Sequence, residues 1–178
     1  VGCNLVFIGL LIKQKRMAWW FGIVGSLLSI FLFISAKLYA EAILYLFYVV
    51  MGFYGLHNWR KSAIDLPINE VSLTKHLQFI LLSMACSIGL GAFFATQTDA
   101  QKPYADALST VFGFLATYLE AKKVLSTWLY WIVLNGFSVW LYFSRTLYVY
   151  AGLMVLYTVL SVVGYLQWQK SYKTQSTG

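Results

Sequence analysis

The segment Trp19–Lys61 returns 109 positions later as Trp128–Lys170, and the two align without a gap at 15 identities in 43 positions. Trp19 answers Trp128, Ser29 answers Ser138 and Tyr39 answers Tyr148. Tyr48 answers Tyr157, Gly55 answers Gly164 and Trp59 answers Trp168. Shared hydrophobicity alone does not produce this agreement, so the chain is an internal duplication. It must therefore arrange two similar units in one fold, and few architectures allow that. One difference inside the match is chemical: Asn135, an amide in an apolar run, stands where the first copy has Ser26.

The medium in which the units pack follows from composition. Of 178 residues, 60% are hydrophobic and 11% charged, against about a quarter charged in soluble domains. Such a chain cannot cover its surface with polar groups, and it reads as an integral membrane protein. Several apolar runs reach the roughly 20 residues that a helix needs to cross about 30 Å of hydrocarbon. They lack the period-two alternation of barrel strands, so the fold class is all-α.

Seven runs are predicted to be helices, at about 1–12, 17–36, 38–59, 76–96, 105–121, 125–144 and 147–168. The expected organisation is a three-helix repeat over 1–61, a linker region with helix four over 62–104, a second three-helix repeat over 105–170 and a cytoplasmic tail over 171–178. A three-helix unit starts and ends on opposite sides of a membrane. One extra crossing returns the chain to its starting side, so both repeats share an orientation, the parallel arrangement used by SWEET transporters. The first run is short and the chain opens on Val1, so the first helix is expected to be clipped or to begin upstream.

Orientation follows from the distribution of Lys and Arg. With the N-terminus outside, one face collects Lys13, Lys15, Arg16, Arg60, Lys61, Lys75, Lys122, Lys123, Lys170 and Lys173, and the other has Lys37, Lys102 and Arg145. The C-terminus is therefore expected in the cytoplasm. The same distribution explains the net charge of +7 by topology rather than by nucleic-acid binding.

Enzyme chemistry finds no constellation. There is no phosphate-cradling Gly-Lys-Ser/Thr loop, no Ser/His/Asp set and no paired-carboxylate set. Cys3 and Cys86 are isolated, His57 and His76 sit near helix ends, and neither a metal site nor a cofactor is expected. No Asp or Glu lies at a helix centre, which leaves a proton relay nothing to run on.

Aromatic and amide chemistry remains. Helix six places Trp128, Trp131, Asn135, Ser138 and Tyr142 at spacings of three and four, hence on one face. Helix three aligns Glu41, Tyr45, Tyr48 and Gly52, and helix seven aligns Tyr150, Met154, Tyr157, Ser161 and Gly164. Candidate substrate-binding residues are Trp131, Asn135, Tyr48, Tyr45, Glu41, Tyr157 and Trp128. Indole and phenol faces stack on flat rings and attract cationic ones, while the amide offers two donors and an acceptor. Such walls suit a flat heteroaromatic ligand, and a small cationic heteroaromatic ring would be attracted to them.

Blander readings compete. Trp19, Trp20, Trp59, Trp128 and Trp168 lie near helix ends, where interfacial belts form. Trp131 and Tyr48 lie deeper and suit bundle packing as well as a site. Asn135 could bond a neighbouring helix, and Glu41 could pair with Lys37. Gly22, Gly25, Gly52, Gly55 and Gly164 read as packing glycines.

The stretch Ser126-Thr-Trp128-Leu-Tyr-Trp131-Ile-Val-Leu-Asn135, closed by Gly164-Tyr-Leu-Gln-Trp168, resembles the PnuC family of bacterial vitamin transporters. Lys37-Leu-Tyr39-Ala and Phe53-Tyr54-Gly55-Leu56-His57-Asn58-Trp59 are similar to the family's corresponding first-repeat segments. The resemblance covers nearly the whole chain. It implies uptake of nicotinamide riboside across the bacterial inner membrane by facilitated diffusion, with a cytoplasmic kinase acting downstream to trap the substrate. It also implies a pocket between the repeats, with Trp131 and Asn135 at family positions. Tyr45, Gly52 and Leu56 depart from the nicotinamide riboside pattern, so a thiamine-type or other vitamin transporter stays open. A non-transporting membrane scaffold or receptor of the same architecture is the alternative from another class. A homo-oligomer is compatible with either.

Overall fold

The structure, a computed structural model, describes residues 2–35, 39–59, 66–98 and 102–176, without the side chains of residue 33 and of 39–43. Its described residues form seven helices. These are α1 (Gly2–Ile12), α2 (Ala18–Ser35), α3 (Tyr39–Asn58), α4 (Leu73–Gln97), α5 (Pro103–Ala121), α6 (Thr127–Phe143) and α7 (Tyr148–Ser176). Number and order agree with the apolar runs. The main departure is α7, which continues through residues expected to be a tail. Tyr172 packs against the core there, and Gln175 Oε1 accepts from the Ile68 N–H at 3.2 Å. Tertiary contacts of this kind hold a polar sequence in helix where hydropathy alone ends the span.

The duplication appears in local geometry. α2 and α6 begin 109 positions apart, as do α3 and α7. α1 ends on Gln14 in the left-handed region at φ 55°, and α5 ends on Lys123, 109 positions on, at φ 57°. Each end closes in the same way. Lys15 N–H reaches Leu10 O and Val124 N–H reaches Leu119 O, the six-to-one bond of a Schellman motif, which satisfies carbonyls that a helix end leaves bare.

Tryptophans and glycines interlock the repeated elements. A Cβ at Gly55 would lie 2.4 Å from the Trp19 ring, and one at Gly164 would lie 2.6 Å from Trp128. Each indole thus occupies a notch that any side chain would fill. Trp19 meets Trp59 edge-on at 5.7 Å, Trp59 meets Trp168 at 6.1 Å, and Trp168 meets Trp128 at 5.4 Å. All four are buried. The belt reading therefore fails for Trp19, Trp59, Trp128 and Trp168, and among that group Trp20 alone is exposed, at 52%. Depth in a membrane is legible from hydropathy, but what an indole at that depth touches is set by neighbouring helices. The packing reading of the glycines holds: Gly52 admits Ile23, Gly22 lies against Phe7 and Gly25 against Cys3.

α4 stands apart and packs along α5. Its buried residues Ser83, Ser87 and Gly91 recur every four positions and form a small-residue face that allows close helix approach. Tyr104 lies over Gly91. The opposite face exposes Leu77, Leu81, Leu82, Ile88 and Phe93. Exposed leucines, valines and phenylalanines recur on α2, α6 and α7, as expected where the solvent is hydrocarbon rather than water.

One end of the bundle is tied by polar contacts. Gln14 Nε2 donates to Ser171 Oγ at 3.1 Å, Trp168 Nε1 donates to Leu11 O at 3.2 Å, and Asn58 Nδ2 donates to Ala121 O at 3.5 Å. The segment before α4 runs beside the α5–α6 turn. Asn69 N–H donates to Lys123 O, Leu125 N–H donates to Asn69 O, and Lys123 Nζ donates to Leu66 O at 2.6 Å. This end therefore gathers Lys13, Lys15, Arg16, Lys75, Lys122, Lys123, Lys170 and Lys173. At the other end, Arg145 clasps Asp106 with two bonds of 3.0 and 2.8 Å, tying the α6–α7 turn to the start of α5. Arg60, Lys61 and the Lys37–Glu41 pairing lie outside the described residues and side chains.

Candidate functional site

Six helices, all but α4, enclose a cavity of about 340 Å³. That is within the range of roughly 300–1,000 Å³ for small-molecule pockets. Nine pairs of residues separated by 109 positions supply 18 of its 22 lining residues, from Asn4/Gly113 on α1 and α5 to Gly52/Ser161 on α3 and α7. The two copies of the sequence repeat thus contribute matching positions to the lining.

Their chemistry is not symmetric. Where α1 presents Leu11, α5 presents Glu120; where α2 presents Gly22 and Ser26, α6 presents Trp131 and Asn135. One wall is aromatic and polar, and its counterpart is small and apolar. Glu120 is only 2% exposed. Its Oε2 accepts a hydrogen bond from Trp131 Nε1 at 2.7 Å, while Oε1 is buried with no hydrogen-bond partner among the described residues. The start of α6 is fixed on α5 by Thr127 Oγ1, which donates to Ala116 O at 2.8 Å. That bond helps set the register that brings Trp131 to Glu120.

Six of the seven expected site residues line the cavity: Trp131, Asn135, Tyr48, Tyr45, Tyr157 and Trp128. The side chain of the seventh, Glu41, lies outside the described ones. Asn135 Nδ2 donates to Ser161 Oγ at 3.3 Å, and Ser161 Oγ donates to Tyr157 O. The helix-bridging reading of this amide is therefore realised. One bond does not exhaust a group with two donors and an acceptor. Tyr45 and Tyr48 meet edge-on at 5.7 Å. Trp128 is 2% exposed and belongs to the tryptophan cluster, so it contributes as the floor of the cavity rather than as a projecting wall.

Four polar lining residues escaped the sequence reading: Asn4, Ser109, Thr117 and Glu120. Glu120 changes the chemistry most. It sits in the last turn of α5, before Lys122 and Lys123, and so escapes a search for carboxylates at helix centres. The 109-residue offset would have signalled it, since its counterpart is the buried Leu11. Among the described residues no group of His, Cys, Asp and Glu could hold a metal ion.

Comparison with known proteins agrees with this architecture. A nicotinamide riboside transporter PnuC of Escherichia coli is 23% identical over 204 aligned residues, covering 98% of this chain and 84% of its own length. A protein of the same name from Neisseria mucosa is 26% identical over 189 residues, covering 97% and 70%. The crystal structure of a vitamin B3 transporter PnuC superimposes with a TM-score of 0.75 at 22% identity, over 97% of this chain and 79% of that one, so the fold is shared. The family model described as nicotinamide mononucleotide transporter matches residues 1–170. The chain therefore belongs to the nicotinamide mononucleotide transporter family and is a membrane transporter, not an enzyme.

Proposed function

We propose that this chain carries nicotinamide riboside across the bacterial inner membrane by facilitated diffusion, and that a cytoplasmic kinase traps the arriving substrate as a phosphate. The observation that carries the reading is the cavity at the centre of the six duplicated helices, with Trp131, Asn135 and Glu120 on one wall. The names of the relatives point to the same riboside. A flat cationic ring finds an indole, a carboxylate and an amide there, and the apolar wall opposite leaves room for it. Thiamine is the second reading, favoured by Tyr45 in the cavity at a position where the resemblance departs from the riboside pattern. The arrangement is two parallel three-helix repeats joined by α4, and the matched helix ends at Gln14 and Lys123 support it. The substrate site is assigned to Trp131, Asn135, Tyr48, Tyr45 and Tyr157.

A thermal-shift experiment on purified protein in detergent separates the readings. A bound ligand adds about RT ln(1 + [L]/Kd) of stability. Nicotinamide riboside is expected to raise the melting temperature and thiamine to raise it less. The reverse order would identify the thiamine type, and no shift with either would favour a scaffold.

The mechanism of uptake has its own test. Among the described side chains, the cavity lining contains one carboxylate and no histidine, lysine or arginine, and a single carboxylate is too little for a proton relay across a membrane. Transport in proteoliposomes is expected to equilibrate free substrate and to persist when the proton gradient is collapsed. Accumulation of unmodified substrate driven by a pH or sodium gradient would rule out the uniport.

Orientation is read from charge: the basic end is cytoplasmic, the N-terminus outside and the C-terminus inside. Lys123 is 2% exposed and unsuited to labelling, whereas Lys122, Thr146 and Lys173 are exposed. With Cys3 and Cys86 replaced, a membrane-impermeant thiol reagent added outside is expected to label a cysteine at Thr146 and to spare one at Lys122 or Lys173. The opposite pattern would invert the topology.

A further inference from the structure

Glu120 is the one carboxylic acid among the described lining residues, and no basic side chain joins it among them. Two ion pairs occur among the described residues, His76–Glu70 and Arg145–Asp106, and neither involves it. The neighbouring Lys123 is engaged elsewhere, with Nζ on Leu66 O and 5.0 Å from the centre of the Trp59 ring. One carboxylate oxygen is held by Trp131 Nε1 and the other has no hydrogen-bond partner among the described residues. A buried carboxylate without a counter-charge is costly, so its retention asks for an occupant that supplies one.

The bond to Trp131 bears on the same occupant. An indole whose N–H donates to a carboxylate gains electron density on its ring, which strengthens its attraction for a cation over its face. Carboxylate and ring therefore act on a positive charge as one unit. In the first half of the chain the corresponding residues are Leu11 and Gly22, which offer neither charge nor ring. A ligand whose charge lies at one end would therefore meet two different walls, which selects one orientation.

We propose that Glu120 is a specificity-determining residue of this cavity, taking up the positive charge of a heteroaromatic cation stacked on Trp131 and so separating charged rings from neutral rings of the same shape. This rests on the transporter reading above and deepens it by naming the group that recognises the charge.

The test uses two pairs of matched shape: nicotinamide riboside with its neutral dihydro form, and thiamine with 3-deazathiamine, whose thiophene ring is neutral. Binding to the full-length purified chain is measured for the parent, Glu120→Gln and Glu120→Asp. Gln keeps an acceptor for Trp131 Nε1 and removes the charge; Asp keeps the charge. The parent is expected to prefer the cation of at least one pair by about tenfold or more, as close charge pairs in desolvated sites do. Glu120→Gln is expected to bring that preference below about threefold while binding the neutral partner like the parent. Glu120→Asp is expected to retain part of it. If the Gln variant keeps the full preference, loses both partners of a pair alike, or the parent shows no preference, the assignment falls while the transporter reading stands. If the parent binds none of the four, both fall.

Discussion

Trp131→Ala is expected to weaken substrate binding by roughly 30- to 1,000-fold in a chain that still folds. The substitution removes the ring proposed to stack on the ligand and the N–H that holds Glu120 Oε2. Aromatic stacking contributes about 0.5–1.5 kcal/mol beyond buried area, and a desolvated cation over an indole contributes about 2 kcal/mol or more. Together these reach about 2–4 kcal/mol, and about 1.4 kcal/mol is a factor of ten. Trp131→Phe, which keeps a ring and loses the N–H, is expected to fall between parent and Ala. Asn135→Ala removes a proposed polar anchor from the cavity wall at about 1–3 kcal/mol, which is roughly ten- to a hundred-fold. Ser26, its counterpart on α2, supplies the internal control, and Ser26→Ala is expected to cost less. Binding is measured by titration and folding by gel filtration. If folded Asn135→Ala binds like the parent while Ser26→Ala does not, the polar wall is on the wrong half.

The seven helices were legible because hydrophobic runs of that length have few alternatives in a chain this apolar. The face of α6 was legible for a related reason: spacing of three and four aligns Trp131 with Asn135, and both line the cavity. Glu120 was not legible. In the sequence Leu119-Glu120-Ala121-Lys122-Lys123 it reads as the solvated acid of a charged helix end. Tertiary packing buries it, with Trp131 of α6 held on its Oε2. The tryptophans were misjudged for the same physical reason. Trp59 and Trp168 close their apolar runs in the sequence, as belt residues do, but the notches at Gly55 and Gly164 draw Trp19 and Trp128 inward and close a cluster over them. The extended segment before α4 was expected as a polar linker. It proves to be a brace, with Ile68 buried and Asn69 bonded to the α5–α6 turn.

The notch at Gly164 carries a large expected effect on stability. A Cβ built there lies 2.6 Å from three atoms of the Trp128 ring, well inside the roughly 3.5–4.0 Å at which carbons attract. Trp168 stands 5.4 Å away edge-on and the indole is 2% exposed, so Trp128 can retreat only toward the cavity that it floors. Gly164→Ala is therefore expected to destabilise the chain by about 1–3 kcal/mol, and Gly164→Val by more, as overpacking of a filled core does. Gly136→Ala on α6 is the control, because nothing lies within 4 Å of its added Cβ; it is expected to be neutral or stabilising. Unfolding in detergent measures each. Trp128→Phe presents a smaller ring to the notch and tests the cause. Combined with Gly164→Ala, it is expected to be less destabilising than the sum of the two single changes, since residues in contact do not add. Additive losses would mean that the glycine is required by the helix backbone rather than by the indole lying on it.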